Sequence, residues 1–282
     1  MTNTTYTDTL KPVLKWAGGK TQLLGQLISL MPSEEITAYC EPFLGGGAML
    51  LYIQPGIAYV NDINAGLMNV YNVIKYFPEA LISELSGYEN TSEFYYKIRG
   101  LDRDAERFAA LSAVKQAARF IYLNKTCFNG LYRENSLGQF NVSYGKYKNP
   151  DFVNADGIRA MSQYFNAANI YFTSVDFSVV LSNLPSGAFV YLDPPYDPVS
   201  ETANFTGYTR YGFTKEDHIR LHQCCDDLTA RGIKFMLSNS DTEFIRQLYS
   251  EYDITEVSAR RAINCNGNGR GAVTELVIRN YH

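Results

Sequence analysis

The sequence predicts an α/β fold in which a doubly wound, largely parallel sheet is interrupted by an inserted segment. Three observations carry this expectation. Short apolar runs alternate with amphipathic helical stripes toward both ends of the chain. Within residues 36–53 an apolar run leads into three glycines and then into a helical stripe. Between residues 85 and 164 the alternation lapses, and no run there reads as a buried strand.

Taken in order, Leu23, Leu24, Leu27, Ile28 and Met31 form one stripe of a helix over residues 20–31, stopped by Pro32. Residues 36–40 read as a buried strand. Glycines 45, 46 and 47 then open a helix reaching about Ile53. Residues 57–60 are a second strand, ending at Asn61-Asp62. Leu67, Val70, Tyr71, Ile74 and Phe77 mark the next helix. In the insert, one helix is expected over 105–123, with Phe108, Leu111, Val114, Ala118 and Ile121 inward. The Asn-, Gly- and Tyr-rich stretch 124–150 carries turn and hairpin signals. Strands at 170–173, 188–192 and 233–237, helices at 218–228 and 241–249, and a closing hairpin from 254–257 and 273–278 complete seven strands. The domains expected are a core from 1–84 and 165–282 and an insert from 85–164.

Composition narrows the class. A chain of 282 residues with 46% apolar and 19% charged residues can bury a sizeable core and is not a disordered protein. There is no apolar run of membrane-spanning length, and the Thr-rich first ten residues lack the pattern of a signal peptide. Five cysteines without paired spacing suit a reduced, cytoplasmic protein. The net charge of −4 is poor for a polyanion partner, but its distribution is uneven. Lys115, Arg119, Lys125, Arg133, Lys146 and Lys148 face a single anion, Glu134, so residues 115–148 carry +5. Most of the 22 tyrosines and 16 phenylalanines fill the core, while a Tyr-rich surface also suits nucleic-acid bases.

Two glycine segments resemble phosphate loops and fail the test. Residues 15–21 lack the first P-loop glycine, where Leu14 stands. Residues 41–50 lack the third glycine of a dinucleotide fingerprint, where Leu50 stands. A ligand without phosphates could still use the tight turn at 45–47, and so could a plain strand–helix connection. Asp62, 17 residues after Gly45 at the next strand end, is placed to accept the ribose hydroxyls of an adenosine. Lys20 is placed to meet a ligand carboxylate, and Trp16 reads equally as a core anchor.

Asp193-Pro194-Pro195-Tyr196 follows the apolar strand 189–192. The double proline gives a rigid, extended exit from the sheet. Asp193 and the Pro194 carbonyl can each accept a hydrogen from an exocyclic amine, freeing the nitrogen lone pair, and Tyr196 offers a ring for stacking. A bare Asp cap with a proline turn is the plainer reading of the same tetrapeptide. No metal site is expected: His218 and His222 lack the intervening Glu, since Ile219 follows His218, and Cys224-Cys225 lacks zinc spacing.

With residues 15–20, 41–47, 61–62, 128–133, 140–147 and 193–196 in this order, the chain resembles the Dam-type adenine-specific DNA methyltransferases, including the DpnM-like members of restriction–modification systems. The resemblance implies a Rossmann-like methyltransferase sheet with S-adenosylmethionine as cofactor. It implies cofactor contacts by Trp16, Ala17, Lys20, Asp62 and Asp193, a pocket lined by Phe43 and Gly45, and an adenine held by Asp176-Phe177. It makes the insert a target-recognition domain with a β-hairpin, in which Lys15, Asn129, Leu131, Arg133 and Tyr147 contact DNA. Lys146 and Lys148, flanking Tyr147, are expected on phosphates. The implied target is GATC. Ser143 stands where the family commonly has a proline that packs on a base methyl group, which puts recognition of that base in doubt.

The expected chemistry is extrusion of adenine from the duplex, stacking on Tyr196, and in-line attack of the neutral amine on a sulfonium methyl, with Asp193 ionised. The expected partners are double-stranded DNA and, genetically, a cognate restriction endonuclease. Two alternatives use the same residues. One is a methyltransferase acting on RNA or on protein glutamine, though relatives acting on glutamine have Asn at the place of Asp193. The other is a DNA- or nucleotide-binding module without catalysis.

Overall fold

The computed structural model describes residues 10–16, 18–199, 212–260 and 272–282. The sequence also predicts a basic, Asn- and Gly-rich loop from Arg260-Arg261 through 264–271; past Arg260 it falls outside the described residues, as does the cofactor contact expected of Ala17. Seven strands form one sheet in the order β3-β2-β1-β4-β5-β7-β6. They are β1 (Ala38–Glu41), β2 (Ile57–Asn61), β3 (Asn169–Thr173), β4 (Ala188–Leu192), β5 (Lys234–Ser240), β6 (Asp253–Arg260) and β7 (Ala272–Arg279). The first five run parallel, and β7 lies antiparallel between β5 and β6. The chain moves from β1 outward to β2 and β3, then returns to lay β4 on the other side of β1. That reversal opens a crevice at the carboxyl ends of β1 and β4, where open α/β sheets bind ligands.

Strand alternation divides the core in two. Tyr39, Val60, Phe189, Tyr191, Met236 and Val277 join the apolar cluster on one face. Cys40, Val190, Leu192, Phe235, Leu237 and Ile278 join the cluster on the other. Period-2 side-chain direction makes both faces of these strands apolar, as in sheets covered by helices on each side. The first face is covered by α1 (Leu24–Ser29), α2 (Ala48–Ile53), α3 (Ala65–Tyr76), α4 (Pro78–Ser86), α5 (Ser92–Arg99), α7 (Ala113–Thr126) and α8 (Ala155–Ala167). The second is covered by α9 (Phe177–Ser182), α10 (Lys215–Ala230) and α11 (Glu243–Leu248).

Several elements differ from expectation. The helix expected over 20–31 is a 3-10 turn, Lys20–Gln22, followed by the short α1. The helix expected over 105–123 is two: α6 (Ala105–Ala109) and α7. Ser112 breaks it, because its hydroxyl caps α7 by accepting from Lys115 N. The insert hairpin is an arm with two isolated antiparallel bridges, Cys127 with Tyr144 and Glu134 with Phe140, rather than paired strands. Its limbs exchange single backbone bonds, such as Asn141 N to Arg133 O (3.0 Å) and Phe128 N to Ser143 O (2.8 Å), and side chains from outside hold the returning limb as well: Asp102 accepts from Phe140 N (2.8 Å), Arg103 donates to Phe140 O (2.7 Å), and Tyr95 donates to Val142 O (2.9 Å). Residues 85–164 are otherwise helical, and Tyr95, Ile98, Phe120 and Phe140 share one apolar cluster with the sheet.

Candidate active site

The glycine turn after β1 is shaped by what surrounds it. Gly45 and Gly47 have φ of 49° and 69°, which favour glycine. A Cβ on Gly45 would lie 2.7 Å from the Trp16 ring, so Trp16 packs on bare backbone there. The Tyr71 hydroxyl donates to Gly45 O (2.9 Å), and Gly45 N donates to Asp62 Oδ2 (3.0 Å). Asp62 Oδ1 accepts from Asn64 N (2.9 Å). Burial raises the Asp62 carboxyl's pKa, and these two N–H donors oppose the rise. Asn61, fully buried, donates to Pro42 O and Val175 O and accepts from Val175 N, locking the loops after β1 and β3 together.

Under the turn lies Glu41, 3% exposed. Its Oε2 accepts from the Tyr39 hydroxyl (2.8 Å) and Leu50 N (3.2 Å). Burial pushes its pKa up to about 8, against the pull of the Tyr39 bond. On the far side of the crevice, Phe43 packs on Phe177 (5.4 Å between ring centroids). Asp176 caps α9 through Ser178 N and is forked by Arg220 at 2.9 and 3.0 Å. Partial burial alone would raise the Asp176 carboxyl; the Ser178 and Arg220 bonds outweigh it and hold it below the usual range.

Asp193 leaves the end of β4 directly into the crevice. Lys20, 5% exposed, lies 2.9 Å from Asp193 Oδ1 and 3.9 Å from Glu275 Oε2 on β7. The same ammonium donates to Gly18 O (2.9 Å) and sits 4.5 Å from the centroid of the Tyr196 ring. The Tyr196 hydroxyl donates to Glu275 Oε2 (2.7 Å). Burial raises the Asp193 carboxyl's pKa; the Lys20 ammonium opposes it and the Glu275 charge adds to it. Burial also holds the Tyr196 phenol well above its ordinary value, so the ring is neutral. Pro194 is buried and Asp193 half-buried.

The residues expected on DNA form a second group, joined to the first by Lys15 and Trp16. Lys15 Nζ sits 4.5 Å over the Tyr147 ring, and the Tyr147 hydroxyl accepts from Asn129 N (3.0 Å). Asn124 clamps the Lys15 backbone, accepting from its N (2.8 Å) and donating to its O (2.7 Å). Leu131 is 37% exposed, and Arg133 is exposed with its Nε bonded to Asn141 Oδ1 (2.8 Å). Lys146 and Lys148 are exposed. Trp16 stacks on Tyr132 (5.7 Å) and Phe120 (6.3 Å), beside Arg133. Arg119 does not belong to this surface. It is 7% exposed and spent on Asp102 (2.7 Å), Ile98 O and Arg99 O, so the +5 window overstates the charge open to a partner.

Sequence reading missed Glu275, Arg220 and Asn124 as members of these groups. Glu275 had a legible signal: a carboxylate one residue before Leu276, Val277 and Ile278, on the same strand face as Val277. The others are brought in only by tertiary packing. The histidines of α10 pack: His218 is buried 4.8 Å from the Phe213 ring, and His222 bonds Glu251 (2.7 Å).

The residues present fit S-adenosylmethionine. The Gly45–Gly47 turn is bare backbone. Asp62 keeps lone pairs beyond its two N–H donors, since a carboxylate offers about four acceptor positions. The pair of Lys20 and Asp193 offers both signs of charge to an amino-acid head group. Fold and site together define a class: an α/β protein with a glycine turn and a carboxylate–proline–tyrosine exit side by side at the switch point of its sheet. Residues 16–263 match the family of D12 class N6 adenine-specific DNA methyltransferases. The chain is 43% identical over 274 residues to the Type II methyltransferase M1.LlaDCHI of Lactococcus lactis subsp. cremoris, covering 96% of each. It is 42% identical to the Type II methyltransferase M.MjaIII of Methanocaldococcus jannaschii, covering 96% of this chain and 99% of the relative. It is 35% identical to the DNA adenine methylase of Escherichia coli K12, covering 94% and 93%. The chain belongs to the D12 class of N6 adenine-specific DNA methyltransferases. Among the described residues, no helix is long and apolar enough to cross a membrane.

Proposed function

We propose that the chain transfers a methyl group from S-adenosylmethionine to N6 of an adenine flipped out of duplex DNA, within the sequence GATC. The observation that carries this reading is Asp193 at the end of β4, at the topological switch point, beside Lys20 and Tyr196. S-adenosylmethionine, when bound, supplies an electrophilic methyl group. Asp62 takes the ribose hydroxyls, Lys20 the carboxylate, and Trp16, Phe43 and Gly45 wall the pocket. Phe177 packs on the adenine, and the remaining acceptor capacity of Asp176 reads its amine. The Lys20 bond uses one position of Asp193, leaving acceptors for one amine hydrogen of the target base; the Pro194 carbonyl takes the other. Pulled toward tetrahedral geometry, the nitrogen has its lone pair free. The ionised Asp193 steadies the ammonium that forms.

In this reading residues 85–164 recognise the target. Arg133, oriented through its Nε by Asn141, grips a guanine edge. Leu131 packs on a base, and Lys15, Asn129 and Tyr147 form the floor beside it. Lys146 and Lys148 hold phosphates. The family resemblance, with Type II methyltransferases among the relatives, favours a restriction–modification context with a cognate endonuclease as genetic partner. A cytoplasmic setting suits a DNA substrate and the free cysteines 40, 127, 224 and 225. The test is labelled-methyl incorporation into duplexes that differ only in the tetranucleotide. Incorporation confined to GATC supports the reading; equal incorporation into its single-base variants overturns the specificity.

A further inference from the structure

We propose that Glu275 is a positioning residue for methyl transfer: it anchors the Tyr196 hydroxyl and so fixes the ring on which the extruded base stacks. The inference rests on the reading of Tyr196 given above. Glu275 interrupts an apolar strand in which Leu276, Val277 and Ile278 are all fully buried. It pairs in register with Ser240 of β5 and Val257 of β6, so its backbone is held from both sides. Its side chain lies on the same strand face as Val277, and its Oε2 accepts the Tyr196 hydroxyl at 2.7 Å. The same oxygen lies 3.9 Å from Lys20 Nζ, which bonds Asp193 at 2.9 Å and lies 4.5 Å from the Tyr196 ring centroid.

The consequence is mechanical. Tyr196 follows two prolines whose own φ angles are fixed, and the N–H of the next residue, Asp197, donates to Asn239 Oδ1 (3.0 Å), so the chain is held on both sides of it. Its ring could still turn about χ1 and χ2, and its hydroxyl bond to a strand-borne carboxylate removes that freedom. The stacking surface is thereby set before the base arrives, and the entropy of ordering it is not lost in the transition state. Tyr196 and Glu275 therefore act as one unit, and Lys20 is shared between the two carboxylates instead of collapsing onto Asp193 alone.

The experiment is single-turnover methyl transfer to PCR-amplified bacterial DNA, which is free of methylation and contains every short target. Cofactor affinity by calorimetry and thermal unfolding are measured on the same proteins. Glu275→Ala should slow transfer about tenfold or more with cofactor affinity little changed. Glu275→Gln, whose amide oxygen still accepts the hydroxyl, should recover most of that loss. Tyr196→Phe should slow transfer by a similar factor, and the double variant Tyr196→Phe/Glu275→Ala should be no slower than either single one. Tyr196→Phe tests the same bond from its other end should Glu275→Ala fold poorly. Transfer by Glu275→Ala at the wild-type rate, or fully additive losses in the double variant, would overturn the proposal. A Tyr196→Ala variant separates the two claims. If it too transfers normally, the stacking role of Tyr196 falls and Glu275 falls with it. If it is inactive while Glu275→Ala is active, only the positioning role falls.

Discussion

Replacing Asp193 by Asn keeps the shape of the side chain and removes its charge. In the wild-type site the carboxylate sits 2.9 Å from the Lys20 ammonium and half-buried, so the charge is both desolvated and partnered. The amide has one acceptor oxygen instead of two, and Lys20 competes with the substrate amine for it. A hydrogen bond to a charged group contributes about 1.5–3 kcal/mol, which is roughly a ten- to hundredfold change in rate. Loss of the charge facing the developing ammonium adds to this, as removal of a preorganised transition-state partner costs about 10²–10³ in kcat. Asp193→Asn should therefore slow transfer by roughly 10²–10³, and Asp193→Ala at least as much. The assay is single-turnover incorporation of labelled methyl with thermal unfolding alongside, since Lys20 retains Glu275 as a counter-charge. The pH profile gives a second readout. Because burial raises the Asp193 pKa, wild-type transfer should fall as pH drops through a value above the group's ordinary one, and Asp193→Asn should lack that limb. Transfer by folded Asp193→Ala within about threefold of wild type would mean that Asp193 does not carry the reaction.

Other outcomes follow from the same geometry. Asp62→Ala should weaken S-adenosylmethionine binding about ten- to hundredfold in calorimetry and leave DNA affinity little changed, as the loss of one charge-assisted bond predicts; the opposite pattern would misplace the cofactor. Arg133→Ala should relax the choice among GATC and its single-base variants by about 1–3 kcal/mol. Lys146→Ala or Lys148→Ala should instead weaken binding to all duplexes alike and lower the salt slope by about one. Glu41 holds its proton to about pH 8 in the folded chain against 4.5 in its unperturbed state. The folded state thus binds more protons between those values, and stability should fall as pH rises through that window, by up to about 1.4 kcal/mol per unit. Glu41→Gln should flatten the curve of unfolding free energy between pH 5 and 8; parallel curves for the two proteins would contradict the assignment.

The sheet was legible because its signals are local. Val190 and Leu192 alternate with Phe189 and Tyr191 across two apolar faces, and each reads directly as a buried strand. Asp62 and Asp193 were legible because strand ends of an α/β sheet point to one edge, so a carboxylate there has one destination. Other features depend on contacts between distant residues. Arg119 reads as part of a basic stretch, but Asp102 and two carbonyls of the preceding turn draw it inside. The arm has the composition of a hairpin, and its limbs exchange a few backbone bonds, yet its returning backbone is also held by Asp102, Arg103 and Tyr95, none of which is in the arm. Ser112 is a residue type that caps helices, but Phe108, Leu111, Val114 and Ala118 continue a helical period across it and mask the break. Glu275 lay in a strand whose existence was predicted. Its meaning depends on Tyr196, 79 residues earlier.

The proposed reaction is methylation of N6 of adenine in GATC through the site at Asp193. The most direct measurement is nucleoside analysis of short duplexes after incubation with S-adenosylmethionine, comparing GATC with each single-base variant and wild type with Asp193→Ala. N6-methyladenine should be the sole modified base, formed in the GATC duplex by the wild type and lost with Asp193→Ala. N4-methylcytosine as the product, or N6-methyladenine formed equally by Asp193→Ala, would contradict it.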